Sequence, residues 1–288
     1  MHYRSVFRPG LFAGQTVIIT GGGSGIGRCT AHELVSLGAK VALVGRRIDN
    51  LEKVREEIVA AGGHASCHAC DIRDEPTVQA TVAAILQEHG AIDALVNNAG
   101  GQYVAQLKDI STKGFDAVVR NNLTGGFTFA RECLNQYMHA HGGAVVNLIA
   151  DMWGSMPTLG HSGAARAGML SFTETAACEW AHFGVRVNAV APGVIASSGF
   201  DTYPPELHAR VRSMKHFVPL QRDGTESEVS AAIVFLLSEA AAYITGSFIR
   251  VDGGSPNWRH PWKLIEHDRS KPFDAFPLAE KPKILEER

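Results

Sequence analysis

The stretch Thr20-Gly21-Gly22-Gly23-Ser24-Gly25-Ile26-Gly27 is the first in the chain whose residue types can do chemistry. It follows a short apolar run and opens a helical pattern, so its glycines permit a tight turn. Backbone N–H groups can then approach a pyrophosphate at the positive end of the helix. A Gly-rich turn alone is a weak signal, because any strand-to-helix turn can use glycine. At the head of a strand–helix–strand unit it reads as a dinucleotide fingerprint. The second apolar run ends Val44-Gly45-Arg46-Arg47. A site for NAD wants a carboxylate near there to accept bonds from the ribose. Gly45 removes that charge, and Arg46, with Arg47 beside it, offers a planar fork to a 2′-phosphate. One such contact, worth roughly 1.5–3 kcal/mol, favours the phosphorylated cofactor about tenfold to a hundredfold. NADP(H) is the expected cofactor and NAD(H) the alternative. A solvated arginine pair at a strand end is the blander reading.

Cys67-x-x-Cys70, flanked by His64 and His68, superficially resembles a metal or redox motif. It falls on an expected strand, where alternate side chains face opposite sides, and the two cysteines differ by an odd step. No second ligand pair follows at zinc-finger spacing. No metal is expected.

These residues need a scaffold, and the apolar pattern supplies one. Strands are expected at Thr16–Thr20, Val41–Val44, Ala65–Cys70, Ile92–Val96, Ala144–Leu148, Val185–Val190 and Phe248–Val251. Helices include Gly27–Leu37, Asn50–Ala61, Thr77–His89 and Ala164–Ala181. Most strands are apolar on both faces, the mark of a parallel sheet covered on each side. The alternation predicts a doubly wound, seven-stranded parallel sheet of Rossmann type in a three-layer α/β/α sandwich. One domain over residues 1–288 is expected, with a core at 14–254. Residues 195–224 read as an irregular, lid-like insertion beyond a strand's carboxyl end. Residues 255–288 read as an irregular tail, with Trp258 and Trp262, that packs on the body or on a neighbouring subunit. His139 and His141 are placed at a helix end, where a cation favours the carbonyl terminus.

At 45% apolar and 19% charged, the 288 residues suit an ordinary globular protein. With 27 Lys+Arg against 29 Asp+Glu and no block of like charge, neither nucleic acid nor a membrane surface is an expected partner. Five cysteines, an odd number spread through apparent core segments, suit buried thiols in a reducing compartment. The start MHYRSVFRPG lacks a signal-like apolar region, and no run is long enough to span a membrane. The final Leu285-Glu286-Glu287-Arg288 is not a peroxisomal address. A cytoplasmic protein is expected.

The Thr20–Gly27 turn, Cys70-Asp71-Ile72, Asn97-Asn98-Ala99-Gly100, Asn122-Leu123 and Pro192-Gly193-Val194-Ile195 together resemble the short-chain dehydrogenase/reductase family. They occur in that family's order over roughly residues 14–254. The resemblance implies that Asp71, with Ile72 next to it, faces adenine and that Asn98, Ala99 and Gly100 line the adenosine side. It also implies that Pro192 and Gly193 lead to Ile195 and Ser197 at the nicotinamide carboxamide, and that the assembly is a homotetramer.

The family's chemistry normally rests on Asn, Ser, Tyr and Lys, with Tyr-x-x-x-Lys at its centre. The five tyrosines (Tyr3, Tyr103, Tyr137, Tyr203, Tyr243) are followed four residues on by Phe7, Leu107, His141, Leu207 and Ser247, so that motif is absent. Its place reads His161-Ser162-Gly163-Ala164-Ala165-Arg166-Ala167-Gly168. Ser162 takes the tyrosine slot and Arg166 the lysine slot; Ala150 replaces the usual serine, followed by Asp151; Asn122 is kept. A serine hydroxyl is a far poorer acid than an activated phenol, and loss of a placed general acid costs about 10²–10⁴ in rate. Arg166 stays protonated, so its expected work is to bind ribose hydroxyls and hold charge.

Reduction of a C=C bond conjugated to a thioester fits such a centre better than carbonyl reduction. Charge develops on the thioester oxygen, which needs hydrogen-bond donors, and the proton ends on carbon. The 161–168 run, Asn122-Leu123-Thr124-Gly125, Glu179-Trp180-Ala181 and Gly100-Gly101-Gln102 resemble the peroxisomal trans-2-enoyl-CoA and 2,4-dienoyl-CoA reductase branch. One departure is Leu170, where the enoyl reductase carries a tyrosine. The expectation is NADPH-dependent reduction of an acyl-CoA, a small-molecule substrate. Asn122 and Ser162 sit near the oxygen, Arg166 clamps the ribose, and Asp151 or a water supplies the proton. For Asp151 a surface or capping role is the blander reading, and for Ser162 that of a helix N-terminal residue. Two rivals stand: a dehydrogenase of citronellol-type alcohols or aldehydes, and a cofactor-binding member without turnover.

Overall fold

The structure, a computed structural model, describes residues 2–258 and 263–285. Trp262 and the final Glu286-Glu287-Arg288 therefore lie outside the described residues. Seven parallel strands form one sheet: β1 (Thr16–Thr20), β2 (Lys40–Gly45), β3 (His64–Ala69), β4 (Ala94–Asn97), β5 (Gly143–Leu148), β6 (Val185–Pro192) and β7 (Phe248–Val251). Their order is β3-β2-β1-β4-β5-β6-β7. The chain reverses direction across the sheet between β1 and β4, and a crevice opens at the strands' carboxyl ends at such a point.

The pleat divides the core. Val17 and Ile19 of β1 pack with α1 (Gly25–Ser36), α2 (Ile48–Ala60) and α9 (Glu226–Leu237) on one face. Ile18 packs with α3 (Glu75–His89), α5 (Gly125–Cys133) and α7 (Gly160–Trp180) on the other. Successive strand side chains point to opposite faces, so both helical layers draw on every central strand. Between β4 and β5 run α4 (Thr112–Val119), α5 and the single turn α6 (His139–His141), joined by wide turns at Arg120–Thr124 and Leu134–Met138. The two histidines thus close a helical run, before Gly142 at φ 75°.

Local chemistry sets the helix ends. Asp74 caps α3, its carboxylate accepting from Thr77 N, with Pro76 in the first turn and Gly90 left-handed at the end. Thr225 and Glu228 form a reciprocal capping box on α9. Helices start two to four residues earlier than the apolar periodicity implies; at α3 and α7 the added residues, Glu75-Pro76 and Gly160-His161-Ser162-Gly163, carry no apolar signal. The strand boundaries agree to within two residues, the largest differences being at the start of β4 and the end of β6.

Two expectations need correction. The 195–224 insertion is not irregular: it carries α8 (His208–Ser213) and short 3₁₀ turns. Val211 is buried in it while Arg210 is exposed, an amphipathic turn too short to show as periodicity. The cysteines are unpaired, but Cys178 is exposed and Cys67 half-buried. Cys67 and Cys70 pack toward opposite faces of the sheet, as the odd step requires.

The tail packs on the body. Phe276 is buried against Tyr3 and Cys29, under the Arg28 guanidinium. Arg222 donates to Ser270 Oγ, and Ile284 N donates to the Asp201 carboxylate. The tail thereby laces the 195–224 insertion to α1.

Candidate active site

Gly21, Gly23, Ser24, Gly45, Arg46, Arg47, Asp71, Ile72, Ala99 and Gly100 line one cleft at the carboxyl edge of β1, β2 and β4. Gly27 shows why glycine is required there: a Cβ would collide with the Gly21 carbonyl oxygen and Asn98 Nδ2. The first turn of α1, Gly25-Ile26-Gly27-Arg28, holds no acidic side chain, and Ser24 makes no side-chain cap. Arg28 N already donates to the Ser24 carbonyl, while the N–H groups of Gly25, Ile26 and Gly27 point to the open end of the helix, so the cradle fits a dinucleotide pyrophosphate. Arg46 and Arg47 are exposed at the end of β2.

Two of the motif residues also make bonds within the protein. The Asn98 amide donates to the Thr20 and Gly21 carbonyls, at 3.0 and 3.2 Å, so it braces the β1–α1 turn. Asp71 receives the Arg73 guanidinium on both oxygens, and that bond holds its carboxyl down to about 2. Ile195 is buried and pairs with Gly224 across the insertion. Ser197 Cβ comes within 4.0 Å of a Cβ built on Gly25, which places it beside the phosphate turn.

A second cavity, of about 300 Å³, adjoins the first. Its walls include Ala150, Asp151, Met156, Pro192, Gly193 and Phe200, together with Leu207, Val211 and Met214 from the insertion. Two further wall residues, Gln102 and Tyr203, are given no role by the sequence. The Gln102 amide donates to the Tyr203 hydroxyl at 3.2 Å across 101 positions of sequence. The signals present were Gln102 within the Gly100-Gly101-Gln102 run and Tyr203 as a phenol inside the insertion.

The four candidate catalytic residues separate into three environments. Asn122 is 2% exposed; its amide donates to Gly101 O and accepts from Gly101 N, at 3.0 and 2.9 Å, fixing the loop after β4. Ser162 is fully buried in the first turn of α7, and its hydroxyl has no partner among the described residues. It is not the helix cap, a position held by Leu159. Next to it, His161 Nδ1 accepts from Ser162 N at 2.9 Å, which leaves the proton on Nε2, also unpartnered. The His161 ring meets Tyr103 edge-on. One turn on, Arg166 reaches the Leu148 carbonyl at 2.5 Å, and its Nη2 lies against Gly100, where a Cβ would collide with it. Arg166 forms no ion pair among the described residues, and burial pushes its guanidinium down to about 10, still charged at neutral pH. It stands at the seam of the two cavities, since Gly100 lines the first and Ala150, just beyond Leu148, the second.

Asp151 alone of the four lines the second cavity. Its Oδ1 is buried without a partner among the described residues. Burial raises its carboxyl pKa, and the nearby Asp252 carboxylate pushes the same way; Ser255 and the Trp153 backbone oppose them. The arrangement holds a protonatable acid in an apolar cavity.

Comparison with known proteins agrees with this construction. Residues 21–255 match a family model described as enoyl-(acyl carrier protein) reductase. A probable 2,4-dienoyl-CoA reductase of Bacillus subtilis is 35% identical over 251 residues, 86% of this chain and 98% of that protein. A glucose 1-dehydrogenase of Gluconobacter oxydans is 37% identical, covering 84% and 92%. Among solved structures, a citronellol catabolism dehydrogenase of Pseudomonas aeruginosa is 59% identical with TM-score 0.80, covering 88% of this chain and 100% of that one. No helix among the described residues is long and apolar enough to cross a membrane. From the shared turn, sheet order and cleft, together with these matches, the chain belongs to the short-chain dehydrogenase/reductase family and is an oxidoreductase with a site for a nicotinamide cofactor.

Proposed function

We propose that the protein reduces the conjugated C=C bond of an enoyl thioester, such as an acyl-CoA, with NADPH. The observation that carries this is the set of donors where a phenol and an amine would stand: Ser162 Oγ–H and His161 Nε2–H, without partners among the described residues, and one turn on the Arg166 guanidinium, which donates to the Leu148 carbonyl and forms no ion pair among them. Buried donors lacking acceptors suit an oxygen that gains charge, because a water-poor setting strengthens each bond to it. A bound reduced nicotinamide supplies the hydride. Arg166 holds the ribose hydroxyls and the positive potential, and Asn122 keeps the Gly100–Gly101 loop against it. Asp151, kept protonatable by its surroundings, delivers the proton to carbon. The relatives named as dienoyl-CoA reductases point the same way.

The test is steady-state oxidation of NADPH with a medium-chain 2-enoyl-CoA and a 2,4-dienoyl-CoA, beside reduction of NADP⁺ by citronellol. Turnover of alcohols with none of any enoyl-CoA removes the proposal. That outcome would favour a citronellol-type dehydrogenase, a second reading supported by the 59% identical relative and by the Tyr203 phenol on the cavity wall. Tyr203→Phe then separates the two, since only carbonyl chemistry loses its acid.

Arg46 and Arg47 support NADP(H) over NAD(H). Arg46→Ala should raise the KM for NADPH about tenfold to a hundredfold, and that for NADH by less than a factor of two. Equal losses for both cofactors would refute the 2′-phosphate role. We further propose a single folding unit, supported by the one sheet, and a cytoplasmic homotetramer. Exposed Ala164, Ala167 and Ser171 on α7 give a small-residue face for a second copy.

A further inference from the structure

Away from both cavities, at the outer edge of the sheet, the fold gathers a set of donors that the dinucleotide chemistry does not use. His64, Ser66 and His68 alternate along the edge strand β3 and so share one face. The last residues of α3, Glu88 and His89, return to that face, because the helix runs opposite to the strands. One ligand atom from each of His64, Glu88 and His89 lies within 4.8 Å of the other two. His68 joins them, its Nε2 lying 3.7 Å from Glu88 Oε2, while His89 Nε2 lies 4.0 Å from Glu88 Oε1. Ser66 Oγ is 2.8 Å from Nε2 of both His68 and His89, and the His64 and His89 rings meet edge-on at 5.5 Å.

We propose that His64, His68, Glu88 and His89 form a binding site for one divalent transition-metal ion of the zinc type, which pins the edge strand β3 to the end of α3. Three imidazoles and one carboxylate are a borderline donor set that suits zinc and its neighbours and not magnesium or calcium. Zinc bonds of about 2.0–2.1 Å at the tetrahedral angle put neighbouring donors roughly 3.3–3.4 Å apart, so the Glu88 contacts must close by only about half an ångström. In the metal-free protein the Ser66 hydroxyl bridges the two Nε2 atoms, donating to one and accepting from the other, and so keeps both rings on this side of β3; an ion takes those nitrogens in place of the hydroxyl. Exposed His64 and half-exposed Glu88 leave an entry path from solvent. The cysteines of the Cys67-x-x-Cys70 run take no part, since Cys67 faces the opposite side of the strand.

The test uses the full chain, without a histidine tag, stripped by a chelator and titrated with ZnCl₂ by calorimetry at pH 7. One ion per chain at micromolar affinity is expected, weakening as the imidazoles protonate toward pH 5.5. An excess of about 100 times Kd should raise the thermal midpoint by several degrees. His64→Ala and Glu88→Gln change exposed side chains, so folding is retained; each should weaken binding at least about tenfold, while Cys67→Ser leaves it unchanged. Absence of binding up to millimolar zinc, binding indifferent to His64→Ala and Glu88→Gln, or binding lost with Cys67→Ser would each overturn the site.

Discussion

Asp151→Asn should lower the maximal rate of enoyl thioester reduction by about 10²–10⁴, the range for a placed general acid. Melting of the same variant at pH 7 should occur above the wild type. The physical reason is common to both results. Asp151 is walled by apolar side chains, faces the Asp252 carboxylate and has a buried oxygen with no partner, so the folded protein disfavours its charged form. Its folded pKa is raised above the unfolded value of about 3.9. Below that unfolded value the carboxyl is neutral in both states and the site costs nothing. The penalty appears as pH climbs, and is full once the folded carboxyl has also ionised. Asparagine removes it, so the gain in melting temperature should be present at pH 7 and vanish near pH 3. In the wild type the rate should fall as pH rises through the raised pKa, and the residual activity of the variant should lose that limb. Unaltered turnover with Asn at 151 would leave a water as the proton source.

Arg166→Met is expected to cost about 10²-fold in kcat/KM, the equivalent of one strong charge-assisted contact of roughly 3 kcal/mol. The apo protein should lose no stability. Arg166 is a desolvated cation whose one hydrogen bond among the described residues goes to the Leu148 carbonyl. Methionine fills similar space and removes the desolvation cost, which offsets the roughly 1 kcal/mol lost with that bond. Arg166→Lys keeps the charge but not the fork, and should recover part of the rate. Steady-state kinetics beside thermal melts of the cofactor-free protein measure both halves. Full turnover in Arg166→Met would show that no cation is needed at the seam of the two cavities. A protein stabilised by the substitution that silences it would instead mark Arg166 as a residue kept for chemistry at a cost to folding.

How much of this was legible beforehand depends on the range of the interaction. Strand positions, their parallel arrangement, the doubly wound sheet and the Gly21–Gly27 cradle are written in apolar period and glycine placement, which act within a few residues. So is the absence of a Tyr-x-x-x-Lys pair, and with it the place of Ser162 and Arg166 one turn apart on a helix. Local sequence is silent on the parts whose surroundings come from elsewhere in the chain. Asn98 belongs to an adenosine-binding motif, yet its amide is spent on the Thr20 and Gly21 carbonyls. The raised pKa of Asp151 needs Asp252, and Tyr203 gains its meaning only from Gln102; each pair is 101 residues apart. The histidines of β3 pass for a flank of Cys67-x-x-Cys70 until α3 brings Glu88 and His89 back beside them. Local sequence determines which element each residue sits on, because backbone hydrogen bonding and side-chain period are short-range. Which acids are desolvated, which donors lack acceptors and which side chains meet across a cavity are decided by packing, and only the folded chain contains that information.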